Sequence, residues 1–406
     1  MITRTRARTK PTDGSDPGDG QRRRIPLLDL LRGIAILGTL ATNVWLFTGP
    51  GGEAVMLHDG DGLTPMEPFR TDPSASTLAE GMFRAAANGK FLALLTLMFG
   101  VGLALQFRSA ERHGRRWPGP YKWRALFLFV EGAVHFTLVF AADVLMGYAI
   151  VALLVAWLLK RSARVRSWVM WTSLTLHLAL MGLLTAALVL MPVPEGEGRI
   201  PAATVDLYAH GSYLEQVAFR LENFLALRSE PILTFALMVF MFLLGVRLFR
   251  AGAFDEQETG RRIRARLLRW GLGVGVPLDI VTSLAGPDWF LLDRYVLAPL
   301  VALGIVGLVG TVLDRRRRTG PVITGLVGLG RMAMTGYVVQ NVVLMFVCYG
   351  FAFGLAERMA GTGSWWILGL WATLSTLLIL GSVLWLRHFR QGPLESLQKW
   401  ALARAR

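Results

Sequence analysis

The chain is short of the residues that build soluble or secreted proteins. Its single cysteine, Cys348, lies inside an apolar run, which excludes an intrachain disulfide and a cysteine-built metal site. Charged residues make up only 17% of the 406 positions, against roughly 25% in soluble domains. Acidic residues are scarcer still, 28 against 43 Lys and Arg. The G-x-S-x-G, H-E-x-x-H and Walker A patterns are missing, and the glycine runs beginning at Gly271 and Gly304 lack the flanking strand and Lys-Ser/Thr of a nucleotide loop. Disordered chains, coiled coils and disulfide scaffolds do not fit these numbers.

What remains is apolar: 53% of the residues are hydrophobic, in long runs separated by bursts of charge. That pattern predicts an all-α, polytopic membrane bundle. Ten runs come near the roughly 20 residues that a span requires, at 27–48, 90–107, 123–141, 143–160, 168–191, 231–249, 267–286, 295–313, 332–355 and 365–386. Residues 1–24 read as a polar, disordered, retained cytoplasmic tail. Residues 25–190 and 231–406 read as two membrane halves joined by a loop, 191–230. With the N-terminus inside, 35 of the 43 Lys and Arg fall on inner segments, so both termini are expected in the cytoplasm of a bacterial inner membrane. The net charge of +15 belongs to these flanks; membrane lipids are the expected partners, and nucleic acid is not.

The outer loops, 49–76 and 192–230, carry the acidic residues Glu53, Asp59, Asp61, Glu67, Asp72, Glu195, Glu197, Asp206, Glu215, Glu222 and Glu230. They read equally well as solvated linkers and as functional loops.

Ionisable groups inside apolar runs are costly, so each is a candidate for function. Glu131 and His135 share a helical face at i,i+4 and could form a carboxylate–imidazole pair suited to a general base. His135 lies about 18 Å along its run, in the outer half of the bilayer and near Asp143 at the outer turn. Asp29 and Arg32 can pair at i,i+3 beside Gly33. Asn43 lies one turn below the outer end of the first run. Lys90 either snorkels or holds an anionic group. Arg331, Tyr337, Gln340 and Asn341 belong to the ninth run, where the two amides either glue helices or line a cavity. His177 and Asp279 have no sequence-local partner. No metal ligand set is expected.

Four blocks carry a family resemblance. The first is Leu28-Asp29-Leu30-Leu31-Arg32-Gly33, with Asn43 after it. The second is Lys90-Phe91 with Phe99-Gly100-Val101-Gly102. The third is His135 with Asp143-Val144-Leu145 and Tyr148-Ala149. The fourth is Gly330-Arg331-Met332, Tyr337, Gln340 and Gly392-Pro393-Leu394-Glu395. In order and spacing they resemble the YeiB-like bacterial membrane proteins, whose C-terminal half is known as domain of unknown function 418. Gly336 stands where that family usually has Asn, Ala142 where Gly is usual, and Glu131 is not a general family feature.

The resemblance extends to the transmembrane acyltransferase superfamily. It implies an acyl group moved from a cytosolic acyl-CoA to a hydroxyl or amine on a glycan, lipid-linked or small-molecule acceptor. His135 would then be the base, Asp143 would orient the imidazole or the acceptor, and Arg32, Arg331 and other inner-face arginines would hold the donor phosphates. A proton-coupled transporter or flippase using Glu131, His135, Asp143 and Asp279, and a non-catalytic scaffold, are the alternatives.

Overall fold

The computed structural model describes residues 25–58, 64–191, 200–315 and 320–404. The tail 1–24 and the loop residues Asp59, Asp61, Glu195 and Glu197 lie outside them. Among the described residues the chain is helical and has no strand. The helices are α1 (Pro26–Thr48), α2 (Ala75–Ala87), α3 (Lys90–Arg112), α4 (Tyr121–Leu138), α5 (Leu145–Leu158), α6 (Ala163–Leu190), α7 (Ala202–Ala209) and α8 (Tyr213–Glu222). They continue as α9 (Phe235–Arg250), α10 (Glu258–Gly273), α11 (Gly275–Ala285), α12 (Ala298–Arg315), α13 (Pro321–Arg331), α14 (Ala333–Cys348), α15 (Trp365–His388) and α16 (Pro393–Arg404). One π-helical turn, Asp293–Leu297, precedes α12.

The expected ten spans are not what the helices provide. Among the described residues six stretches are long and apolar enough to cross a membrane: Pro26–Thr48, Ala75–Arg112, Ala163–Leu190, Glu258–Ala285, Pro287–Arg315 and Trp365–His388. The pair α13 and α14, bent by 90°, would make a seventh. The runs at 143–160, 231–249 and 332–355 instead form helices of 14, 16 and 16 residues. At 1.5 Å per residue these reach only about 21–24 Å, short of a hydrocarbon core of about 30 Å. Helix α4 has 18 residues and carries Lys122, Arg124 and Glu131. Much of each short helix is covered by protein. In α5, for example, Leu145, Tyr148, Val151, Ala152 and Val155 are all buried. By contrast α6 presents Trp168, Trp171, Leu183 and Leu190 outward, as a lipid-facing helix does.

Helix α1 is the central post. Near its start it meets α13, where Gly330 is required because a Cβ there would run into the Asp29 carbonyl oxygen. Further along it packs on α14, with Gly336 beside Ile36. Helices α4 and α5 fold into a hairpin through residues 139–144.

The break between α13 and α14 is held by α16, in a reciprocal arrangement. Glu395 accepts from the backbone N–H of Met334 (2.9 Å) and Thr335 (3.3 Å) and from the Thr335 hydroxyl (2.6 Å). Thr335 Oγ1 in turn accepts from Leu394 N at 3.1 Å, so each helix start caps the other. Two positive helix ends would repel, and the Glu395 carboxylate between them offsets that.

The loops beside α1's C-terminal end are built rather than trailing. Glu53 is fully buried and ion-paired with the equally buried Arg220 of α8. It also accepts from the Tyr208 hydroxyl at 3.0 Å and from the backbone N–H of Ala141 at 2.5 Å. Burial and the Glu53 carboxylate push the Tyr208 phenol well above its ordinary range, which keeps it a donor.

Nearby, exposed His210 bridges Asp206 (2.7 Å) and Glu357 (2.9 Å), and these acceptors raise its pKa. A raised folded-state value means that the bridge is complete below the unfolded pKa of about 6.5 and is lost as pH rises through the folded value. Hydrogen exchange over residues 202–210 should therefore quicken, beyond the intrinsic pH effect, between mildly acidic and mildly alkaline buffer. A His210→Ala protein should lack that increment.

Candidate functional site

His135 is buried in the last turn of α4, with 2% of its surface exposed. Its Nδ1–H donates to Asp143 Oδ2 at 2.9 Å, because a carboxylate can only accept. The other Asp143 oxygen accepts from the backbone N–H of Leu145 (2.9 Å) and Met146 (3.4 Å), the first turn of α5. Gly132 makes this possible. A Cβ there would lie 2.6 Å from Met146 N and 2.8 Å from Asp143 Oδ1, so only glycine lets the turn fold back.

On the far side of the ring, Asn341 Nδ2 faces His135 Nε2 at 3.3 Å, and Asn43 Nδ2 donates to Asn341 Oδ1 at 3.0 Å. The hydrogen bonds therefore run in one direction, from Asn43 through Asn341 and His135 to Asp143. In this arrangement the Nδ1 proton faces the carboxylate and Nε2 faces the Asn341 amide as acceptor. Residues from α1, α4, the α4–α5 turn and α14 meet here. Tyr337 packs its ring 5.2 Å from the imidazole. Gln340 donates to Thr39 Oγ1 at 3.3 Å, on the α1–α14 seam. Arg228 donates to the Asp143 carbonyl and stacks over Phe136 at 4.1 Å.

The pair expected between Glu131 and His135 is not formed. Both ring nitrogens are already engaged, and among the described residues neither Glu131 oxygen has a hydrogen-bond partner. Asp143, returning across the turn, takes the place that the i,i+4 spacing suggested for Glu131.

The other candidates do not join this centre. Asp29 and Arg32 pair at 3.3 Å near the start of α1, with Arg124 close by, and Arg331 donates to the Arg390 carbonyl at 3.1 Å. Arg32 precedes Asn43 by as many residues as Arg124 precedes His135, about 16 Å of helix rise. Lys90 does not snorkel. It is buried and ion-paired with Asp279 at 2.8 Å, also donating to the Ala85 carbonyl at 2.7 Å. His177 donates Nε2–H to the Tyr295 carbonyl at 2.9 Å.

A second polar cluster was not legible beforehand. Arg294 donates through Nε and Nη2 to Glu230 Oε1 and through Nη1 to Asn88 Oδ1, between 2.8 and 3.1 Å. Asn88 passes the chain to Asp293 at 2.8 Å, and Asp293 also accepts from Ser283 at 3.1 Å. The π-helical turn carries Asp293, Arg294 and Tyr295, which is where such turns tend to occur.

This cluster borders two cavities. The larger, about 660 Å³, lies at the C-terminal end of α1 and is lined by Trp45, Glu80, Arg84, Asn88, Glu230 and Arg294 among apolar groups. The smaller, about 50 Å³, is lined by Thr96, Asp143, Tyr148, Glu230, Arg294 and Tyr295 among others. Glu230, Arg294, Tyr295 and Met56 line both, so the two cavities share a wall, and Asp143 lies on the smaller one. His135 itself lines neither, and neither reaches the Arg32 end of the bundle.

An all-α bundle with six membrane-length apolar helices and a buried imidazole–carboxylate centre is a polytopic membrane protein by its helices and a candidate enzyme or carrier by its core. Residues 248–405 match the family described as "Protein of unknown function (DUF418)". Over 93% of its length the chain is 29% identical to the uncharacterized protein YeiB of Escherichia coli (strain K12), covering 96% of that protein. It is 27% identical to the uncharacterized protein YxaH of Bacillus subtilis (strain 168), covering 93% of this chain and 94% of the relative. The chain is thus similar to these uncharacterized bacterial proteins along nearly its whole length, and its C-terminal part carries the DUF418 match. No solved structure matches it.

Proposed function

We propose that the chain is a membrane acyltransferase that moves an acyl group from a cytosolic acyl-CoA to a hydroxyl or amine on an acceptor at the membrane or its outer side. The observation that carries this reading is the buried chain that runs through His135 to Asp143. A buried carboxylate fixed by two backbone N–H groups holds the proton on Nδ1 and leaves Nε2 basic. An acceptor in the large cavity approaches past Asp143, displaces the Asn341 amide from Nε2, and gives that nitrogen its proton.

Arg32, Arg124 and Arg331 gather at the other end of the bundle, where donor phosphates would be held. The pantetheine arm of a CoA thioester is the part that would bridge the remaining distance to His135. The test is a purified protein in liposomes, given labelled acyl-CoA and a panel of hydroxyl and amine acceptors. His135→Ala should reduce transfer by at least about 10²-fold. Unchanged transfer removes His135 from the mechanism.

One observation favours a second reading, a proton-coupled carrier. Lys90, Asp279 and Asp293 form a buried charged network joined through Asn88 to the cavity wall. Solute flux in proteoliposomes without any acyl donor would support that alternative.

A further inference from the structure

Acyl transfer from a thioester is neutral in protons. The acceptor O–H or N–H bond and the C–S bond break, and the new C–O or C–N bond forms. The proton that leaves the acceptor must therefore end on the thiolate sulfur. In the reading above the acceptor enters past Asp143 and sits at His135 Nε2, and the donor arrives from the Arg32 end. A group on the donor side of the imidazole is placed to deliver the proton without the ring turning.

Glu131 occupies that place. It is one helical turn from His135 on α4, displaced toward Arg124 and the donor end. Both carboxyl oxygens are buried, and among the described residues neither has a hydrogen-bond partner. Its charged neighbours are carboxylates, Asp143 and Glu395, and among the described residues no cation is paired with it. Those neighbours are committed elsewhere, Asp143 to the imidazole and Glu395 to the start of α14. A carboxyl group left without a counter-ion or donor in a dry setting is built to carry a proton rather than to hold an ion pair.

We infer that Glu131 is the proton-relay residue of this site. The inference rests on the acyl-transfer reading. The Glu131 carboxylic acid gives its proton to the departing thiolate as the C–S bond breaks. The proton gained by His135 Nε2 then moves, through water admitted with the substrates, to the Glu131 carboxylate and restores the starting state.

The experiment compares wild type and Glu131→Gln in liposomes with two donors of the same acyl group: acyl-CoA, whose thiolate is basic, and an aryl thioester, whose thiolate leaves unaided. Gln keeps the size and removes the proton. Transfer from acyl-CoA should fall by about 10²–10³-fold, and transfer from the aryl thioester by less than about tenfold. Equal losses with both donors, or no loss, overturn the relay. Infrared difference spectra supply a readout that needs no turnover: wild type should show the carbonyl stretch of a protonated carboxylic acid, and Glu131→Gln should lack it. A wild-type spectrum without that band also overturns the relay. Wild-type protein inactive with both donors overturns the acyl-transfer reading itself.

Discussion

Replacing Asp143 by Asn should slow acyl transfer by about 10³–10⁴-fold while leaving the protein folded. The backbone fixes the outcome. Leu145 and Met146 N–H groups pin one side-chain oxygen at this position, and an Asn would keep its carbonyl there. Its NH₂ would then face His135 Nδ1, which must become an acceptor. The imidazole proton would move to Nε2, and the basic nitrogen would be lost. Nitrogen NMR of a selectively labelled histidine should report the switched tautomer. Initial rates within tenfold of wild type would show that the carboxylate does not set the ring's role.

The largest effect on stability is expected at Glu53. Removing its carboxylate strands Arg220, which is buried without solvent contact, and breaking one side of such a pair costs about 3–5 kcal/mol. Glu53→Ala also frees the backbone N–H of Ala141, two residues before Asp143, so unfolding and loss of activity should go together. Thermal unfolding in detergent should drop sharply for Glu53→Ala and recover in large part for Glu53→Leu combined with Arg220→Leu, which removes both charges. A Glu53→Ala protein as heat-stable as wild type would show that the pair holds nothing together.

The helical, membrane-type character was legible because composition and run length report it directly. The number of crossings was not. Hydropathy measures removal from water and does not report helix length, so the runs that fold as α5 and α9 read as spans although their helices have only 14 and 16 residues.

The polar centre was legible in its members and less so in its bonds. His135 and Asp143 announce themselves as costly groups in apolar surroundings. The i,i+4 rule shows only which residues share a helical face, and Glu131 shares it without touching the ring. The preference for Asp143 comes from the turn and from Gly132, which no helical period encodes. Lys90 with Asp279 and Asn43 with Asn341 join residues far apart in the chain, the latter 298 positions apart, where local spacing carries no signal. No spacing or run singles out Arg228, Arg294 or Tyr295; Arg228 gains a role from its bond to the Asp143 carbonyl, and Arg294 and Tyr295 from the cavities they line.

The clasp between α14 and α16 bears on biogenesis. Thr335 leaves the ribosome some 60 residues before Glu395, the group that neutralises the start of its helix. Until that later stretch arrives, the start of α14 lacks the carboxylate that caps its bend, and only its seam with α1 holds Asn341 toward the imidazole. The centre is thus completed after translation has moved well past its own residues, which makes the timing of membrane insertion part of how this protein matures.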